Sequence, residues 1–343
     1  RLAPRFSAAS SSAMSNLRRR APMTSVVSVP VAGTARIDAS GRAGGGGIAI
    51  GVNGPTVADR TGIAAGAVVH SDATRAGKGG QVVVRARQAT AMAGTVTARG
   101  GPQGGDGGTV EVSSGGGLQL TGAIDVSAVA GTLGQVIIDP QFLTIVADAD
   151  PRVNVTSGDL ADLILANADA PTDAFLGAGQ VGAITGNLVL QATDSITVGA
   201  AITKPLGGLA LETGGTLTIN APVVLGAGDL TLFGRIIALN ELVQVSNAAT
   251  VLLDHAGSDF PSSVTEAGAG RITAGTLTQG RLLFDDITLG GANLVGQIID
   301  LRALNTVLFN NTQSLLVSGT VSGSGAVSID VRGGDLSLTG LVS

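Results

Sequence analysis

The chain has 343 residues, a net charge of −5 at pH 7, 53 Gly, and no Cys, Trp or Tyr. Without Cys it has no disulfide scaffold, thiolate metal site or Cys nucleophile, and no apolar run approaches the ~18 residues of a membrane span. Hydrophobic residues reach 44% against 13% charged, which excludes a disordered chain, and aromatics at 2% point to a thin interior of Val, Ile, Leu and Ala.

Residues 1–32 read as a basic, Ser- and Pro-containing linker or chain end. Residues 1–30 hold Arg1, Arg5, Arg18, Arg19 and Arg20 and no acid, leaving 15 bases against 25 acids beyond them. That acidic remainder argues against a nucleic-acid partner. The Arg triplet reads as a solvated basic patch. No apolar signal-peptide region is present in this stretch, and a chain beginning at Arg reads as a piece of a longer one.

Residues 33–147 form a Gly-rich repeat. Gly66, Gly80, Gly94, Gly108 and Gly122 are spaced by 14, each opening a Gly-x-aliphatic segment: Val68, Val82, Val96, Val110 and Ile124. Gly108–Val112 alternates, with Val110 and Val112 on one face and Thr109 and Glu111 on the other, the period of a half-buried strand. The spacing of 14 fits either two faces of one coil or a smaller coil. Asn53-Gly54 is the one Asn-Gly pair that signals an antiparallel hairpin. Strands that do not fold back coil onward and pair in parallel with the next turn.

Residues 148–343 continue with longer spacing. Residues 158–168 place Leu160, Leu163 and Ile164 as a short helix would, covering a coil or a lateral opening. Leu188/Leu190, Leu209/Leu211, Leu230/Leu232 and Val251/Leu253 follow at intervals of 21. The series predicts Ile272, then Leu294 after a shift of one, then Leu315/Val317 and Leu336/Leu338. Ile196/Val198 to Leu217/Ile219 and Ile202 to Val223 repeat the same interval. Coils of about 21 residues, stacked at about 4.8 Å, predict roughly fifteen coils and a rod about 70 Å long. The last eight residues hold four aliphatics and no charge. A bare end of that kind predicts a chain continuing past Ser343, or end-to-end self-association.

The ordered set Gly77–Val84, Gly94–Gly101, Gly104–Ser113, Gly122–Ala128 and Gly131–Pro140, with Leu143–Val146 beyond, resembles the filamentous haemagglutinin-like exoproteins of bacterial two-partner secretion. Residues 33–147 carry the resemblance most specifically, and Gly186–Gly234 extends it. It implies a right-handed parallel β-helix in a large adhesin, secreted or held on the outer surface of a Gram-negative-type bacterium. It also implies an outer-membrane transporter for the full-length parent. The chain departs from that family in having no Asn-Pro-rich secretion signature and in placing Arg85 where many members have an aromatic residue.

Candidate chemistry is sparse. His70 and His255 have no zinc-type spacing. Asp254-His255, Asp259 and Glu266 lie in an apparent loop whose residue types suit a metal or a sugar, but a polar solvated loop is the expected reading. Gly104–Gly108 holds one partial copy of a calcium-binding nonapeptide and reads instead as a tight turn needing positive φ. Gly44–Gly47 leads into a strand, not the helix N-terminus of a phosphate loop. Asp285-Asp286 is the best acidic pair for glycoside chemistry, but adjacent strand residues face opposite ways. Lys78 and Lys204 are the only lysines.

The sequence therefore predicts an all-β parallel β-helix acting as a structural and adhesive module, without catalysis. The sequence points to no catalytic, cofactor-binding or metal residue. Expected partners are host or bacterial surface glycans or proteins. The alternatives are a carbohydrate-active β-helix hydrolase or lyase, and a non-functional remnant of a larger exoprotein gene.

Overall fold

A computed structural model describes residues 28–153, 173–257 and 261–343. Strand accounts for 55% of it and helix for 2%, and the strands pair in parallel from coil to coil. The fold is a parallel β-helix. One exception among the described residues is Val52–Asn53, antiparallel to Thr56–Val57. This is the hairpin signalled by Asn53-Gly54, with Gly54 at φ +57°.

The longest face stacks twelve strands. Gly47–Ile50, Gln81–Ala86, Thr109–Ser114, Gln135–Asp139, Asn187–Ala192, Leu209–Thr213, Leu230–Phe233 and Thr250–Asp254 pair in that order. Arg271–Gln279, Phe284–Ile298, Leu315–Val317 and Leu336–Leu338 complete it. Twelve rungs at about 4.8 Å span roughly 53 Å, shorter than fifteen coils would give. The reason lies in coil length. Val82 pairs with Val110, Val110 with Val136, and Val136 with Leu188, so the early coils are longer than 21 residues.

The spacing of 14 marks two faces of one coil. Val82 and Val110 stack on the long face, while Val69, Val96 and Ile124 stack on another. The interval of 21 holds through Leu188, Leu209, Leu230 and Val251. Beyond Val251 the prediction fails: Val251 pairs with Leu277, and Ile272 pairs instead with Val243 on the neighbouring face. Leu294 is 37% exposed and Val295 beside it is buried. A longer coil through 254–275 moves the register, and interval counting cannot see which face a strand occupies. The interval of 21 resumes at Leu315 with Leu336 and Val317 with Leu338.

Ser28–Val31, inside the stretch read as a linker, pairs with Arg60–Ile63 as the first rung of a second face. The predicted helix at 158–168 lies outside the described residues. A six-residue helix, α1 (Ala178–Ala183), follows the strand Ala174–Gly177. That strand pairs with Phe142–Val146, which pairs on its other side with Ser195–Val198.

The inward columns are aliphatic and dry. Leu188, Leu190, Leu209, Leu211, Leu230, Leu232, Val251 and Leu253 are each at most 2% exposed. Alternation puts Val189, Ala210, Thr231 and Leu252 on the outside. One coil buries too little to order itself. Each layer covers the apolar surface and completes the hydrogen bonds of the next.

Candidate functional site

A groove follows the corner where the long face turns into the second face. Small residues create it. Ala86, Ser114, Ala192 and Thr213 end their strands at this corner and are buried, and the turns beyond them begin with Gly115 and Gly214. Gly115 has no room for a side chain, since a Cβ there would clash with the Arg87 carbonyl oxygen. The upper part, about 460 Å³, is lined by Val57, Arg85, Arg87, Ser113, Asp139 and Thr193 among others. The lower part, about 240 Å³, shares Asp139 and Thr193 and adds Gln191, Glu212 and Phe233.

One outward side chain per rung lines this corner. Arg85 pairs with Ser113 and Ser113 with Asp139; Gln191 pairs with Glu212 and Glu212 with Phe233. Asp139 and Gln191 directly follow the paired Ile138 and Leu190. Arg85 Nε donates to Ser113 Oγ at 2.9 Å, and Ser113 Oγ donates to Glu111 Oε1 at 2.9 Å. Arg85 also pairs with Glu111 at 3.3 Å, and Arg87 pairs with buried Asp59. Gln191 Nε2 donates to Glu212 Oε2 at 2.8 Å. Burial, joined by the charge of Glu111, pushes the Asp139 carboxyl above its ordinary range, against the pull of Arg85. No described residue donates a hydrogen bond to that carboxyl.

None of these groove residues stands out in sequence as a site. Arg85 alone carries a signal there, as a departure from a family pattern. The polar column becomes visible only when strands from coils of unequal length are laid in register.

The residues singled out in sequence lie elsewhere. His255 is buried at 3% exposure, not solvated. Its Nε2 lies 3.0 Å from the Leu283 carbonyl oxygen and its ring packs on Phe284 at 4.5 Å. Asp254 Oδ1 accepts from the His255 backbone N–H at 2.9 Å. Glu266 sits apart from them, accepting from the Gly291 N–H at 2.7 Å and from Asn293 Nδ2 at 3.1 Å. Asp259 lies outside the described residues. His70 Nδ1 meets Thr97 Oγ1 at 2.7 Å, beside Asp72. Burial would raise the Asp72 carboxyl, but hydrogen bonds from Arg99 and Thr97 outweigh it and hold the group below its ordinary value.

Gly104 and Gly105 adopt φ +135° and +122°, the turn expected of them. Asp106 Oδ1 accepts from the Thr132 N–H of the following coil. The register against Leu301–Asn311 shifts between Phe284 and Asp286, so the acidic pair sits at an irregularity of the ladder. The Ser262 N–H donates to Asp285 at 2.6 Å, and the Thr306 N–H donates to Asp286 at 3.1 Å. Each carboxylate stitches its coil to a different neighbour. Among the described residues no group of three His, Asp or Glu is placed to hold a metal ion, and no helix is long and apolar enough to cross a membrane.

Lys204 is fully buried, filling an inward place paired with Leu225. Nζ donates to the Ile184 carbonyl oxygen, at the C-terminal end of α1, at 2.7 Å. Burial pushes the ammonium down from 10.5 to about 8. Above 10.5 the amine is neutral whether the chain is folded or not; as pH falls the unfolded chain takes the proton first, so stability drops. Replacing Lys204 with Met removes that cost and loses one hydrogen bond. A net gain of about 1–2 kcal/mol at pH 7 is expected, shrinking by pH 10. Thermal melts of both proteins at the two pH values check it.

A scan of protein-family models returns no match, and a search of curated proteins finds no relative.

Proposed function

We propose that this chain is a structural and adhesive module of a secreted bacterial surface protein of the filamentous haemagglutinin type. The observation that supports the reading best is the uninterrupted stack of twelve parallel rungs. Such a stack is stiff along its axis, because each inner rung shares backbone hydrogen bonds and an aliphatic layer with both neighbours. It holds outward side chains in straight ladders at a fixed step, a geometry suited to contacting an extended partner at many weak points. The Gly-rich segments of residues 33–147 supply the resemblance, and export to the outer surface by a two-partner transporter belongs to the same proposal.

Adhesion tests the reading. Beads coated with the purified 343-residue chain are expected to attach to bacterial or epithelial surfaces above albumin-coated beads. Equal attachment would overturn the adhesive role. Release of reducing ends or unsaturated products from polysaccharides would replace it with a hydrolase or lyase, centred on Asp139 and Glu212 in the corner groove.

A further inference from the structure

We infer that the corner groove binds a neutral, extended oligosaccharide lying along the axis of the coil, from Arg85 to Phe233. This names the ligand class of the adhesive surface proposed above, and rests on that reading.

Shape gives the first reason. The groove runs along the axis and is open to solvent, because small corner residues recur on the rungs of Ala86, Ser114, Ala192 and Thr213. The hairpin Val52–Val57 closes it at one end, where Val57 lines the wall. From Arg85 to Phe233 it crosses six rungs, or about 24 Å at about 4.8 Å per rung. An extended chain of pyranose rings advances by a similar step, so one sugar unit lies over each rung.

The lining gives the second. Arg85, Asp139, Gln191 and Glu212, each at least partly exposed, bring both donors and acceptors to the groove, which suits hydroxyl groups that both give and take hydrogen bonds. The unpaired carboxyl of Asp139 stands at the junction of the two parts. Phe233, half-buried, lies at the far end. It offers an apolar ring to the C–H face of a sugar, while its neighbour Glu212 takes hydroxyls.

Charge and backbone exclude the rivals. The two arginines are already matched by Glu111 and Asp59, so no surplus of positive charge remains for sulfate, phosphate or uronate groups. A peptide adding itself as a strand needs an open sheet edge. The strands under the groove, Gln81–Ala86 through Leu230–Phe233, are each paired on both sides.

Calorimetry on the full chain tests the inference, with cellohexaose and chitohexaose as neutral probes and oligogalacturonate and heparin hexasaccharides as anionic ones. At least one neutral hexasaccharide is expected to bind about tenfold more tightly than its disaccharide, the ratio that about 1.4 kcal/mol of added contacts carries. Phe233→Ala is expected to weaken it by about tenfold, the loss of one stacking contact with its buried area. Asp139→Asn, nearly isosteric, controls for folding and is expected to shift affinity while leaving the melting temperature close to the parent's. Binding of the anionic probes alone, binding of no probe at millimolar concentration, or neutral binding unchanged in both variants would each overturn the inference. Bead adhesion unchanged by Phe233→Ala would leave the adhesive role standing and remove the groove from it. Hexasaccharide binding without bead adhesion would keep the groove and remove the adhesive role.

Discussion

Leu230→Asp is expected to destabilise the chain by at least about 4 kcal/mol, the range reserved for an unpaired charge or uncompensated polar group in a core. Leu230 is wholly buried between Leu209 and Val251 on adjacent coils. Those neighbours offer no donor to a carboxylate, so the group either stays ionised without partners or takes up a proton at a cost. Leu230→Ala leaves only a cavity and is expected to cost about 2–5 kcal/mol. Thr231→Asp, one residue along on the outer face, is expected to stay within about 0.5 kcal/mol of the parent. The three variants together read the register, because a one-residue slip exchanges the inner and outer sets. Coils contact only their neighbours, so damage starts locally. Limited proteolysis alongside thermal melting records it. A Leu230→Asp protein that melts with the parent, or a Thr231→Asp protein that fails, would show the register to be wrong.

Glu266 is expected to make stability fall as pH rises through the neutral range. It occupies an inward column, with Leu239 on the preceding rung. Burial pushes its carboxyl up from 4.5 to about 7, while hydrogen bonds from Gly291 and Asn293 pull the other way. One oxygen, Oε1, is buried with no partner among the described residues. Below 4.5 the group is neutral in folded and unfolded chains alike, and its full contribution is present. As pH rises towards 7 the unfolded chain loses the proton first, so folding is penalised. Above 7 both forms are ionised and the loss levels off at about 3 kcal/mol, since each tenfold change in proton affinity carries about 1.4 kcal/mol. Glu266→Gln keeps the size and an acceptor but does not ionise. The variant is expected to match the parent at pH 4 and to melt higher at pH 8. Comparing the two proteins cancels the acid-range groups that run in the opposite sense, such as Asp38, which hydrogen bonds from Ser40 hold at about 2. A constant difference from pH 4 to pH 8 would refute the assignment.

Asn293 beside this acid, and Asn311 paired with Asn293 on the next coil, show how the coil tolerates polarity inside. Both are fully buried. Asn293 Oδ1 accepts from the Ile272 N–H at 2.5 Å, and its Nδ2 donates to the Asn310 carbonyl oxygen at 3.0 Å. Asn311 repeats the pattern one coil on, accepting from the Val295 N–H and donating to the Val295 and Gln313 carbonyl oxygens. Stacked amides satisfy the backbone where the chain turns a corner. Glu266 enters the same corner with one oxygen too many.

The sequence by itself determined the fold class. Alternating aliphatics at fixed intervals, with almost no hairpin signal, leave only strands that coil onward. The columns through Leu188, Leu209, Leu230 and Val251 follow from that pattern because burial acts on each rung in the same way. Asn53-Gly54 was legible for a local reason, since its turn depends on two residues and not on the rest of the coil. The tertiary structure decided what depends on coils of unequal length. It placed Ile272 on a neighbouring face, turned Leu294 outward, and buried His255 and Lys204. It also brought Arg85, Ser113, Asp139, Gln191, Glu212 and Phe233 into one line. Parallel pairing joins residues a whole coil apart, and an insertion in any coil moves every later partner without changing the local pattern. Alternation along a strand is therefore written in the sequence, while the ladder across strands exists only once the coils are stacked.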